Sequence, residues 1–356
     1  MNSLRFAPTL KLSLLLAALF ATGAVAQEKP KAPSLREDLE KRFGEKVEIR
    51  HGTGANTAPK AAILEKRFGD KVDIRLNQPY AGTTNTFQML DLYLPKQRAD
   101  NQPLPVVVHI HGGGWSGGSR AGYASGAAGL AAMGKYAAVS VGYRLSGEAK
   151  WPAQIHDCKA AIRWIRGHAK EFNLDPDRIG ATGGSAGGHL VTLLGLTAGV
   201  KELEGTLGEF TALGSGVTCV VNVCGPTDMT TVLIPGATTD DPAVSGLLGG
   251  PVRDRLDLAK QSSPLTYVTA SAVPIMTIHG TKDMRVNFTN AAKLDAALKK
   301  VGTISLLIPV TDAGHGVTFG PELDGRVQQF WAMYLRGVKS DISLTPIQAP
   351  PAPVKK

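Results

Sequence analysis

The chain has 356 residues, 43% of them hydrophobic and 19% charged, with 41 glycines. That is the composition of a globular protein of one large domain or two ordinary ones, and it excludes a fibre or a disordered chain. The net charge is +9, but basic residues are interleaved with acidic ones and form no Lys/Arg block, which removes nucleic acid as a partner.

Taken in chain order, residues 1–26 read as an export signal. Arg5 and Lys11 supply a positive start, an apolar run over 12–21 is too short for a comfortable membrane span, and Ala24-Val25-Ala26 fits a small-x-small cleavage site. The expected location is therefore periplasmic or secreted, with no stable membrane span after cleavage. Residues 27–70 read as a charged leader. It contains LEKRFGEKVEIR at 39–50, which returns as LEKRFGDKVDIR at 64–75. The period does not continue, and a stacked-repeat architecture needs at least three units to bury a core. The duplication is local, and Val72 and Ile74 of the second copy alternate as an edge strand should.

From residue 71 to 338 the pattern is that of an α/β domain. Apolar runs at 88–95, 105–111, 136–145, 177–184, 218–225, 273–280 and 304–310 alternate with helical patterns, notably 151–172, 287–300 and 321–336. Continuous apolar strands alternating with helices imply a mostly parallel sheet covered on both faces. Residues 339–356 read as a Pro-rich tail. Three cysteines occur, Cys158, Cys219 and Cys224. The last two sit too far apart along one strand to bridge each other, and no spacing suggests zinc, so buried free thiols are expected; a bridge from Cys158 to either stays open.

Chemistry concentrates at Gly183-Gly184-Ser185-Ala186-Gly187, a G-x-S-x-G turn between a strand and a helix. So tight a turn leaves almost no room beside Ser185 for side chains, and it lifts the hydroxyl above the sheet edge. A second motif, His111-Gly112-Gly113-Gly114-Trp115, ends the 105–111 strand, where glycine lets backbone N–H groups approach a developing oxyanion. A serine nucleophile needs a base, and the base an orienting acid. Of eight histidines, His315 lies in a glycine-rich loop after the last strand, late enough for the order Ser…Asp…His. The favoured acid is Asp283, just past the preceding strand; Asp228 and Asp312 are its rivals. Asp157 reads as a structural partner.

Together HGGGW, YRL, WPAQIHDCKAAIRW, DPDRIG, GGSAGGH, HGTKD and AGHG resemble α/β-hydrolase esterases of the HGGG-bearing, hormone-sensitive-lipase-like branch, and more narrowly the bifunctional feruloyl/acetyl-xylan esterase type. The resemblance covers roughly 72–337. It implies an α/β-hydrolase fold, Ser185, Asp283 and His315 as catalytic triad, and the amides of Gly113, Gly114 and Ala186 as oxyanion donors. Trp115, Gly184 and His189, beside these motifs, are the residues expected to touch substrate. It also implies no metal and no cofactor, and a small-molecule or polysaccharide-linked ester as substrate. Two departures stand out: Gly184 occupies a position where many relatives carry an acid, and Met284-Arg285-Val286 follows Asp283 in place of a Pro-bearing turn. Residues 198–217 and 228–262 are expected to form a partial cap or rim. A serine peptidase of the same fold and a non-catalytic binding protein are the competing functions.

Overall fold

The computed structural model describes residues 57–231, 240–317 and 319–349. The export segment and the first copy of the duplication, 39–50, lie outside the described residues, all of which belong to one unit, Glu48–Lys356. In chain order the elements are α1 (Thr57–Phe68), β1 (Val72–Pro79), β2 (Met89–Pro95), β3 (Leu104–Ile110), α2 (Ala124–Ala131), β4 (Ala137–Val141), α3 (Ala153–Gly167) and α4 (Ala169–Phe172). There follow β5 (Leu174–Gly184), α5 (Ala186–Leu196), α6 (Lys201–Glu204), β6 (Cys219–Val223), α7 (Pro242–Leu248), α8 (Leu256–Ser262), β7 (Ile275–Gly280), α9 (Thr289–Lys300), β8 (Ser305–Thr311), α10 (Pro321–Arg336) and β9 (Ile347–Gln348).

The strands form one sheet in the order β1-β2-β4-β3-β5-β6-β7-β8-β9. β2 pairs antiparallel with β1 and with β4, and every other pair is parallel. β3 shows why its sequence is an unbroken apolar run. Val106, Val108 and Ile110 enter one core layer, shared with Ile155 and Ile162 of α3 and Leu190 of α5. Val107 enters the other, with Ala127 of α2 and Phe330 and Trp331 of α10. Both faces are covered, so neither set of alternating positions tolerates a polar side chain. Each such Val or Ile taken out of water stabilises the fold by about 1.5–3 kcal/mol.

Three sequence expectations need correction. The domain does not begin at residue 71: α1 lies within the expected leader, and its Leu64 is 5% exposed in the layer that contains α2. Leu64→Ala is accordingly expected to destabilise the domain by about 2–3 kcal/mol, read as a lower urea midpoint at unchanged slope. The C-terminal segment is docked as far as residue 349. Ile342 is buried, the Arg326 guanidinium donates to the Thr345 carbonyl at 2.7 Å, and β9 pairs Ile347 and Gln348 with Val310 and Thr311 of β8. Finally, the helical pattern over 151–172 is two helices, interrupted at His168. All three cysteines are buried and free. Among the described residues, no helix is long and apolar enough to cross a membrane.

Candidate active site

The site is built where the C-terminal ends of β3 and β5 meet. β5 passes into α5 through Ser185, whose φ of 56° and ψ of −121° are rarely adopted by a residue with a side chain. Such a conformation costs about 1–3 kcal/mol and persists only when its surroundings over-determine it. Here the Ser185 N–H donates to the Val223 carbonyl of β6 at 2.8 Å, and the Ser185 carbonyl accepts the His189 N–H at 3.0 Å. One residue earlier, the Gly184 N–H donates to the Tyr123 hydroxyl at 3.1 Å. The glycines let two backbones touch: a Cβ on Gly187 would collide with the Ile110 carbonyl, and one on Gly112 would lie 2.6 Å from the Gly184 carbonyl oxygen. The glycine loop after β3 is thereby pressed against the turn that carries Ser185.

Ser185 Oγ lies 2.8 Å from His315 Nε2, and His315 Nδ1 lies 2.8 Å from Asp283 Oδ2. The other carboxylate oxygen of Asp283 accepts the N–H groups of Arg285 at 2.8 Å and Val286 at 2.9 Å. His279, at the end of β7, places Nε2 3.2 Å from Asp283 Oδ2 and 2.8 Å from the Val286 carbonyl, so Nε2 carries a proton directed at both acceptors. Burial alone would raise the Asp283 pKa. The hydrogen bonds from His279, His315 and the two amides outweigh it and hold the carboxyl well below the usual carboxylate range. A carboxylate only accepts, so Nδ1 of His315 carries its proton and Nε2 presents a lone pair to the serine hydroxyl.

The rival acids are engaged elsewhere. Asp228 accepts from Thr230 and Lys293, and the exposed Asp312 pairs with Lys282 at 2.7 Å. Asp157 is fully buried and is gripped by the Arg144 fork, with Nε–Oδ2 at 2.9 Å and Nη2–Oδ1 at 2.8 Å. The YRL and WPAQIHD motifs thus meet in one ion pair that ties the loop after β4 to α3. Cys224, His279 and Asp283 bring potential metal-ligand atoms within 4.8 Å of one another. They fit a metal poorly: burial pushes the Cys224 thiol up to about 12, and the carboxylate is already occupied by two imidazoles and two amides.

A cavity of about 360 Å³ opens over Ser185 and His315, with Gly113, Gly114 and Trp115 on one wall and Arg285 on another. Gly113 and Gly114 have φ of 114° and 58°, which a side chain would strain. Ala186 opens α5 directly after Ser185. Of the three residues expected to touch substrate, Trp115 lines this cavity, and Gly184 and His189 do not. Gly184 is absorbed into the turn itself. His189 is completely buried: its Nδ1 accepts from the Trp115 indole N–H at 3.2 Å, and its Nε2 donates to the Ser262 carbonyl at 2.6 Å. Burial lowers its pKa to about 4, so it is a neutral brace that fixes the Trp115 wall. Several residues of the site were not singled out from the sequence. Asp241 and Ala243 at the start of α7 line the cavity from within the segment expected to form a rim. His279 enters the sequence analysis only within HGTKD, and Arg285 only as part of a divergent turn.

The family model described as BD-FAE matches residues 90–298, from β2 into α9. The chain belongs to the BD-FAE family. Esterase LipC of Mycobacterium tuberculosis (strain ATCC 25618 / H37Rv) is 32% identical over 233 residues, covering 64% of this chain and 57% of LipC. The chain spans about half the length of the curated relatives it matches. Among solved structures, a truncated form of a carbohydrate esterase from gut microbiota superposes with a TM-score of 0.70 at 30% identity, covering 75% of this chain and 97% of that one. A bifunctional GH43-CE protein of Bacteroides eggerthii gives 0.68 at 33% identity, over 74% of this chain and 35% of that one. The BD-FAE chain therefore has the α/β-hydrolase fold of esterases.

Proposed function

We propose that the protein is an exported serine carboxylesterase acting on short-chain or aromatic acyl esters, among them acetyl or feruloyl esters of polysaccharides. The reading rests on one observation above all: the unbroken line Ser185 Oγ–His315 Nε2, His315 Nδ1–Asp283 Oδ2, at 2.8 Å in each link, at the floor of an open cavity. In the first step His315 Nε2 takes the Ser185 proton as the oxygen attacks the ester carbonyl. The amides of Gly113, Gly114 and Ala186 receive the negative charge that develops on the carbonyl oxygen; one such donor contributes about 10²–10³ in rate. His315 then gives the proton to the departing alcohol, leaving an acyl group on Ser185. Water, deprotonated by the same imidazole, releases the acid. Asp283, anionic throughout, holds the imidazole in the tautomer that both steps require.

The cavity is near the lower end of small-molecule sites, which suits a compact acyl group better than a long chain. Similarity to a carbohydrate esterase and to a GH43-CE protein supports a sugar-linked alcohol. Export rests on the 1–26 segment, with cleavage after Ala26. The test is a panel of 4-nitrophenyl esters of increasing chain length, acetylated xylan, methyl ferulate and an aminoacyl-4-nitroanilide. Turnover of acetyl or feruloyl esters, falling with chain length, is expected; selective cleavage of the anilide would instead establish a peptidase.

A further inference from the structure

We propose that Arg285 selects esters that carry a carboxylate close to the scissile bond, a reading that rests on the esterase function above. Arg285 is exposed and lines the same cavity as Ser185 and His315. Its backbone is anchored to the triad: its N–H donates to Asp283 Oδ1 at 2.8 Å, so its position relative to His315 is fixed. Among the described residues its guanidinium has no ion pair. The other charged residue on the cavity wall, Asp241, is a buried helix cap whose Oδ1 accepts the Ala243 N–H at 2.7 Å. Trp115, Pro226, Ala243 and Val286 give the cavity apolar surface, beside the polar Ser116.

A guanidinium is always charged and offers donors in a planar fork that matches a carboxylate with two parallel hydrogen bonds. Because Arg285 is exposed, it pays little desolvation until substrate arrives, and the net charge of +7 that remains once Arg5 and Lys11 leave with residues 1–26 adds attraction at long range. The carboxylate could reach it from either side of the ester. It could sit on the acyl group, as in a hemiester of a dicarboxylic acid, or on the alcohol, as in a uronic-acid unit.

Two matched pairs separate these sources: 4-nitrophenyl hemisuccinate against 4-nitrophenyl butyrate, and 4-acetoxybenzoate against its methyl ester. Each is assayed at neutral pH and low salt with the wild-type protein, Arg285→Gln and Arg285→Lys. The expected result is a fall of about tenfold in the anionic-to-neutral ratio of kcat/KM in Arg285→Gln, carried by KM, with Arg285→Lys intermediate. In the wild type the same ratio falls as salt is added. A fall in the first pair places the acid on the acyl side, and a fall in the second places it on the alcohol. A ratio unchanged by Arg285→Gln in both pairs overturns the proposal. A wild-type protein inert to all four esters overturns the esterase reading itself, and the proposal with it.

Discussion

Replacing Ser185 by alanine is expected to lower kcat on a short 4-nitrophenyl ester by about 10⁶-fold, with circular dichroism and urea midpoint close to those of the wild type. The size follows from how the parts act together. Without Oγ, His315 has no proton to take and no acyl-enzyme forms. What survives is the contribution of the glycine loop and of substrate binding, about 10³–10⁴ over water. The Ser185 hydroxyl is half-buried and its backbone is held by Val223 and His189, so removing one oxygen leaves the turn in place. A His315→Ala variant should fall as far, because the two residues form one unit.

Asp283→Asn should cost about 10⁴ in kcat while leaving KM within a few-fold. An asparagine amide presents N–H donors where the carboxylate only accepts. His315 then turns its unprotonated nitrogen toward residue 283 and its proton toward Ser185, the wrong tautomer for a base. A pH signature accompanies this. The folded-state pKa of Asp283 is depressed, so the carboxylate contributes stability that is fully present above its unfolded value near 4 and is lost as pH falls through the folded value. The stability gap between wild type and Asp283→Asn should therefore be constant from neutral pH down to about 4 and close only in strong acid. Urea unfolding across that range measures it. A gap that stayed flat into strong acid would mean that Asp283 is an unshifted carboxyl, and a gap that widened as pH fell would mean that its folded pKa is raised.

How far the site could be read from the sequence follows the range of each physical constraint. The Ser185 turn was legible because its requirement is local and steric: Gly187 has no room for a side chain, and the sequence writes that need as glycine within two residues. His315 was legible through chain order and its glycine loop. His279 was not, because a histidine at the end of an apolar strand looks the same whether it pads a core or donates to a carboxylate four residues on. His189 is expected to touch substrate, but it is fully buried behind Trp115 instead. Its direction depends on Trp115, 74 residues upstream, swinging over to donate to it, and no local pattern encodes that.

The edges of the fold were the least legible. Among its described side chains α1 gives Leu64 and Phe68 to the core, so its charged composition hid it inside the leader. β9 joins the sheet through backbone hydrogen bonds to β8, which any sequence can make, and the surrounding prolines pointed the other way. The central strands, by contrast, announced themselves because burial on both faces demands an unbroken apolar run.

The central claim is that Ser185 is a nucleophile made reactive by His315. Labelling with a fluorophosphonate probe, followed by peptide mass mapping, tests it most directly. The predicted result is one stoichiometric adduct on Ser185, abolished in Ser185→Ala and slowed by several orders of magnitude in His315→Ala. An esterase-active protein whose adduct maps to another residue, or that carries none, would contradict it.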